Sequence, residues 1–214
     1  PLRATLALKS YPALLRAAGY HTALIGKLGI ESRGVGATIS IADATTIVPA
    51  MFDHLDNYEH WTAAGYEIPQ ADDTTRHLPD ITGDKAIDFL HSCRPPFCLS
   101  ISFNAPHAQD NDPRQYIWPK TEDPLYEDAI YPEPTNADPA YFNTLPPFLQ
   151  HSESRRRWRL RYNTPEKFQH STRGLYRMIS GVDRNLGRIL TQLHRLDLAD
   201  NTVVIFTSDH GMFY

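Results

Sequence analysis

Cysteine is scarce here: Cys93 and Cys98 are the only two among 214 residues. Their C-x4-C spacing fits neither a zinc knuckle nor a redox C-x-x-C, so two unpaired thiols are expected. Apolar runs are short as well. None reaches the roughly 18 residues that a membrane-spanning helix needs, so no membrane span is expected. An excess of charge of one sign is also missing, since 21 Lys and Arg face 25 Asp and Glu for a net charge of -4. Such a balance offers no electrostatic footprint for nucleic acid or an anionic membrane surface, and neither partner is expected. The opening residues PLRATLALKS start at Pro1 and lack the long apolar region and small-residue cleavage site of a signal peptide. They read as an internal start, which leaves localisation open. No repeat emerges at a period of 20 to 50 residues.

What is present is ordinary globular composition, 41% hydrophobic and 21% charged, which argues for a folded chain with a real core. Local patterns then place the elements. SYPALLRAAGY reads as a short helix, with Leu14, Leu15 and Ala18 on one side, Pro12 in the first turn and Gly19 ending it. HTALI reads as a buried strand closed by Gly26-Lys27, and DITGDKAIDFLHS as a second helix. CLSISF, from about Cys98 to Phe103, reads as another strand, opening into Asn104-Ala105-Pro106-His107.

Between Pro113 and Pro147 prolines alternate with aromatic residues, which predicts an ordered covering loop, because disordered segments are generally poor in aromatics. The longest helical signal follows Thr164-Pro165-Glu166. Its apolar stripe is Leu175, Met178, Ile179, Val182, Leu186, Ile189, Leu190 and Leu193. TVVIF then predicts a third strand. The order of helices and strands argues for α/β packing around a largely parallel central sheet flanked by helices.

Each predicted strand is followed by a group able to do chemistry: Lys27 after the first, His107 after the second, Asp209 and His210 after the third. In open α/β sheets ligands bind outside the carboxyl ends of the strands, so parallel strands would gather the four on one rim. Each also has a purely structural reading, as a solvated lysine, a hydrogen-bonded histidine or a turn-capping Asp-His pair. Together they suit ester hydrolysis: a carboxylate and an imidazole for a metal acting as Lewis acid, a lysine for an anionic group, and a histidine to protonate a leaving oxygen. No nucleophile stands out. RRRWRLR, with arginines at 155, 156, 157, 159 and 161, reads as a solvated charged face, with gripping of a sulfated polysaccharide as the alternative. The proline and aromatic loop fits either packing or a sugar-binding cleft.

GYHTALIGKLGI, APH after a strand, and MISGVDRNLGRILTQLHRLDLADNTVVIFTSDHG resemble signature segments of the sulfatases, and FDHLDNYEHW and HLPDITGDKAIDFL are similar to family text. The resemblance implies an alkaline-phosphatase-like α/β fold and one partial catalytic domain over residues 1–214, with a covering segment at about 108–163. It implies hydrolysis of a sulfate ester of a sugar or aryl alcohol at a Ca2+ site. By position, Lys27 would bind the sulfate, His107 would contact it and assist the leaving group, and Asp209 and His210 would be calcium ligands.

The family nucleophile is a formylglycine made within C-x-P-S-R or S-x-P-x-R. CRPPF and CLSIS do not fit, so it is expected upstream, and these 214 residues alone are expected to be inactive. Gly26-Lys27-Leu28-Gly29 lacks the histidine that many members carry in G-K-x-H. The implied partner is a sulfated small molecule or glycan, and periplasmic, secreted or lysosomal localisation is typical of the family. Two alternatives stand beside this reading. Asp with His suits zinc at least as well as calcium, which fits an alkaline-phosphatase-like zinc phosphatase. The other is a non-catalytic domain that binds anionic glycans.

Overall fold

The computed structural model describes residues 7–28, 33–34, 37–38, 48–57 and 65–211. The chain divides into two compact units. The first comprises Pro1–Asn104 and Asn185–Leu198, the second Ala105–Arg184 and Ala199–Tyr214.

The first unit is built on a parallel sheet. Helix α1 (Tyr11–Ala17) carries Pro12 at its start, where a missing N–H costs nothing. It ends before Gly19, whose φ of +90° suits the left-handed residue that closes a helix. The chain then enters β1 (His21–Gly26), buried from Thr22 onward because it lies between two parallel neighbours. Two-residue strands β2 (Arg33–Gly34) and β3 (Ala37–Thr38) pair antiparallel. Strand β4 (His54–Asn57) flanks β1 with Ala23 opposite His54. A small antiparallel hairpin, β5 (Glu67–Pro69) with β6 (Thr75–His77), leads into α2 (Leu78–Ser92). From there β7 (Phe97–Ser102) returns on the other side of β1, with His21 opposite Phe97 and Gly26 opposite Ser102. The sheet order is β4-β1-β7, all parallel.

Helices predicted at α1 and α2 and strands predicted at β1 and β7 are present. Strand β4 has no alternating apolar pattern in HLDN and was not foreseen. It is held from outside itself: the Asp53 carboxylate accepts from the Thr22 N–H at 3.0 Å and from Arg16 Nε at 2.6 Å. Ala7, Ala13, Leu24, Val48, Met51 and Phe52 form the apolar cluster beneath, with Leu28 packed against it.

In the second unit the loop between Pro113 and Pro147 is ordered, with short helices α3 (Pro139–Asn143) and α4 (Pro147–Gln150), followed by α5 (Glu153–Arg161). The long helix α6 (Pro165–Arg195) has its amino-terminal portion here and its end, from Asn185, in the first unit. Against α6 the loop is held by main-chain and ring contacts. Gln169 exchanges two hydrogen bonds with the Tyr131 backbone, at 2.9 and 2.7 Å, and Tyr131 stacks on Tyr176. Arg177 donates from Nε to the Leu125 carbonyl at 2.8 Å.

The α6 stripe differs from expectation at its margin. Leu175, Met178, Val182, Ile189 and Leu193 are buried, whereas Ile179 and Leu190 are exposed. Those two lie three turns apart on one flank, so the buried strip is narrower than the apolar one. The middle of the strip is taken by Asn185, fully buried.

The third predicted strand is corrected: residues 202–208 form no strand and join no ladder among the described residues. Val203, Ile205 and Phe206 are 78 to 86% exposed. An apolar run specifies that a segment can be extended and buried, but a parallel strand also needs a neighbouring edge in register, and that partner is non-local. No described helix is long and apolar enough to cross a membrane. Cys93 and Cys98 are free, as expected, and burial pushes both thiols up from their ordinary pKa.

Candidate active site

The carboxyl edge of the sheet is where the chemistry begins. Gly26 ends β1 at φ +104°, and any Cβ there would run into the Ser102 carbonyl. The next N–H, from Lys27, donates to that same carbonyl oxygen at 2.9 Å. Two parallel strands therefore end together, and half-buried Lys27 leaves the sheet at the edge where ligands of such sheets bind.

Beside it, β7 runs through Phe103 into Asn104. This asparagine is only 5% exposed, and neither atom of its amide head has a hydrogen-bond partner among the described residues. A buried amide in that state costs roughly 1–3 kcal/mol relative to a bonded one. Sequence reasoning passed over Asn104, although its position just beyond a strand was the available signal.

His107 follows three residues later, in the second unit, on an exposed turn. Its Nδ1 lies 2.6 Å from the Ala108 carbonyl oxygen. A carbonyl only accepts, so Nδ1 carries the hydrogen, and Nε2 presents a lone pair in the neutral ring or an N–H in the imidazolium. That is the arrangement a proton donor acting through Nε2 requires.

Asp209 and His210 sit on the unpaired segment after residue 206, with side chains 88% and 79% exposed. The His210 N–H donates to Asp209 Oδ1 at 2.8 Å, and His210 Nε2 stands 3.7 Å from Asp209 Oδ2. Among the described residues no group of three His, Cys, Asp or Glu side chains is placed to hold a metal. Calcium takes roughly six to eight oxygen ligands, so Asp209 and His210 can contribute to a metal shell but do not form one. Thus Lys27 and the end of β7 share one sheet edge, while Asp209 and His210 are not carried by a strand of that sheet. Gly29, in the departing G-K-L-G motif, lies outside the described residues.

The arginine run proves to be more than a solvated face. Arg156 and Arg157 together hold the Glu153 carboxyl down to about 2. Arg157 and Arg161 both pair with Asp110, and buried Arg161 donates from Nε to Gln115 at 2.8 Å. Arg161 alone of the five is buried, because α5 turns it inward, while Arg156 and Arg159 stay exposed.

The sulfatase family model matches residues 5–212. An N-acetylglucosamine-6-O-sulfatase of Bacteroides thetaiotaomicron is 24% identical, over 96% of this chain and 44% of that protein. A choline-sulfatase of Rhizobium meliloti is 28% identical, over 94% of this chain and 42% of its own length. A structure solved in complex with its substrate D-glucosamine-2-N,6-O-disulfate superposes with a TM-score of 0.52 at 20% identity, covering 90% of this chain and 47% of that one. That likeness shows an alkaline-phosphatase-like α/β fold. The chain spans under half the length of these three relatives.

Proposed function

We propose, from the premise that this chain belongs to the sulfatase family, that it carries part of the active site of a sulfuric-ester hydrolase acting on a sulfated sugar or an aryl sulfate. The observation that carries the reading is the joint ending of β1 and β7, which brings Lys27 to the carboxyl edge of a parallel sheet just before the segment that bears His107. The chain as a whole is read as part of one catalytic domain, with residues 108–163 as its covering segment.

In this reading the Lys27 ammonium binds the sulfate and offsets its charge, as a compact point charge suited to an anion. His107, with Nδ1–H tied to Ala108, delivers a proton from Nε2 to the ester oxygen as the S–O bond breaks, so that the alcohol leaves neutral. Asp209 and His210 would be ligands of a calcium ion whose other ligands lie outside the described residues. When bound, calcium would supply Lewis-acid stabilisation, and a formylglycine, whose sequence setting neither Cys93 nor Cys98 has, would supply the nucleophile.

The test uses the product of the complete gene, assayed with 4-nitrophenyl sulfate. Lys27→Ala and His107→Ala are expected to lower kcat/KM by roughly 10²-fold or more, and the 214 residues alone are expected to show no turnover. Robust turnover by the 214 residues would refute the external nucleophile, and unchanged activity in both variants would refute the site. The donor set of Asp209 and His210 also favours a second reading, a zinc phosphatase. Metal analysis finding zinc, with faster hydrolysis of 4-nitrophenyl phosphate than of the sulfate, would select it.

A further inference from the structure

The Ala108 carbonyl that holds His107 Nδ1 at 2.6 Å is itself aimed from elsewhere. It belongs to the planar, trans peptide between Ala108 and Gln109, and the N–H of that peptide donates to the Gln115 carbonyl at 2.6 Å. In a trans peptide the C=O and N–H point to opposite sides, so anchoring the N–H fixes the direction of the carbonyl. Through one rigid plane, Gln115 therefore decides where the His107 imidazole is held.

Gln115 is built to stay in place. It is 4% exposed and has φ +59°, a left-handed conformation that a residue other than glycine keeps only where its surroundings over-determine it. They do so here. Its N–H donates to the Asp112 carbonyl at 3.0 Å, its Nε2 to the same carbonyl at 2.6 Å, and its Oε1 accepts from Arg161 Nε at 2.8 Å. The Asp112 N–H closes the loop by donating to the Gln109 carbonyl at 2.9 Å.

Arg161 anchors this loop to the helices. At the end of α5 and 5% exposed, it pairs with Asp110 as well as Gln115, and its own carbonyl accepts from Ser171 Oγ of α6 at 2.8 Å. Arg157 takes the other Asp110 oxygen at 3.1 Å. An arginine on a charged helix has no need of burial for its own solvation, and removing it from water costs free energy that only its partners return. The planar guanidinium fork meets two partners at once, and both belong to the loop that follows His107.

We infer that Arg161 and Gln115 are positioning residues for His107: they fix the loop 109–115 so that the Ala108 carbonyl keeps the hydrogen on Nδ1 and leaves Nε2 for proton transfer. The inference rests on the proposed function only for what Nε2 does. The fixing of the ring is independent of it.

The first test is NMR of the wild-type chain labelled with 15N, at about pH 8, where histidine is ordinarily neutral. Long-range 1H–15N couplings report which ring nitrogen carries the hydrogen, and His107→Ala identifies the signal. The Nδ1–H form of His107 is expected to be the major one in wild type. In Arg161→Gln and in Gln115→Gly the ratio of Nδ1–H to Nε2–H forms is expected to fall several-fold, while the ring signals of His21 and His91 keep their positions. Gln115→Gly removes the amide yet suits the left-handed backbone, so it serves if Arg161→Gln does not fold. A loss of stability alone would lower Tm and leave the ratio as it was. An unchanged ratio, or a wild-type His107 that is mainly Nε2–H, would overturn the inference.

The second test is kinetic, on the product of the complete gene with 4-nitrophenyl sulfate. Arg161→Gln is expected to lower kcat about tenfold or more while KM stays within about twofold, the pattern of a misaligned proton donor. Wild-type kcat in Arg161→Gln, in an enzyme that His107→Ala inactivates, would overturn the positioning role and leave the proposed function standing. Full activity of His107→Ala would refute the proposed function instead, and the spectra would then decide the fixing of the ring by themselves.

Discussion

Lys27 and Ser102 are joined across the sheet: the Lys27 N–H donates at 2.9 Å to the one carbonyl oxygen that a side chain on Gly26 would strike. The residue proposed to bind sulfate is thus aimed by the backbone of the neighbouring strand, and Gly26 is what permits the approach. With φ at +104° and a backbone atom in the way, Gly26→Ala should destabilise the chain by at least roughly 2 kcal/mol. Thermal unfolding should show a Tm about 4–8 °C lower, and an unchanged Tm would contradict the strand-end geometry.

Asn185 should behave as a core residue despite its polarity. It is fully buried, donates from Nδ2 to Asp80 at 2.8 Å, and accepts from Arg188 at 2.8 Å. A Cβ on Gly83 would come within 2.5 Å of its Oδ1. Asn185→Ala should cost roughly 1–3 kcal/mol by leaving Asp80 and Arg188 short of a partner. Gly83→Ala should also destabilise, by crowding the same amide. Urea titrations of the two variants check this, and a neutral result for both would show that α2 and Asn185 do not pack as described.

Acid should weaken the β1 and β4 region through Asp53. Partial burial opposes ionisation of its carboxyl, but hydrogen bonds from Thr22 and Arg16 outweigh that and hold the folded pKa below the ordinary 3.8. A depressed folded value means the unfolded state binds protons first as pH falls. The stabilisation is therefore fully present above the unfolded value and is lost as pH drops through the folded one. Asp53→Asn should cost about 0.5–1 kcal/mol at pH 7, since the pair is partly exposed. The difference from wild type should shrink below about pH 3.5, and stability curves at pH 7 and pH 3 that run parallel would refute the assignment.

The segment between Pro113 and Pro147 should loosen when its clasp on α6 is cut. Gln169→Ala removes both hydrogen bonds to the Tyr131 backbone. At about 0.5–1.5 kcal/mol each, limited chymotrypsin cleavage near Tyr126 and Tyr131 should accelerate several-fold to tenfold or more. Cleavage rates within α2 should not change. Equal acceleration at both places would indicate global destabilisation instead of a local clasp.

Much of this was legible from local patterns. Pro12 and Gly19 bracket α1, HTALI and CLSISF place the two strands that end at the candidate site, and the spacing of apolar residues traces α6. The exceptions share a cause. Strand β4 carries no alternating pattern, because its place depends on Asp53 binding Thr22 and Arg16. Arg161 reads as one more surface charge, yet it is buried against Asp110 and Gln115, which lie far from it in sequence. Asn104 reads as a loop polar group until its burial is known.

The sequence by itself determined that α1, α2 and α6 are helical, where β1 and β7 end, and that Lys27 and His107 follow those ends, because period, caps and breakers act within a few residues. Family membership, too, is carried by the linear pattern. Only the tertiary structure decided that β1 lies between β4 and β7, that residues 202–206 stand outside the described ladders, and that Arg161 is buried against Asp110 and Gln115. Strand pairing and burial of charge depend on partners brought from far along the chain, and no local period encodes which partner arrives.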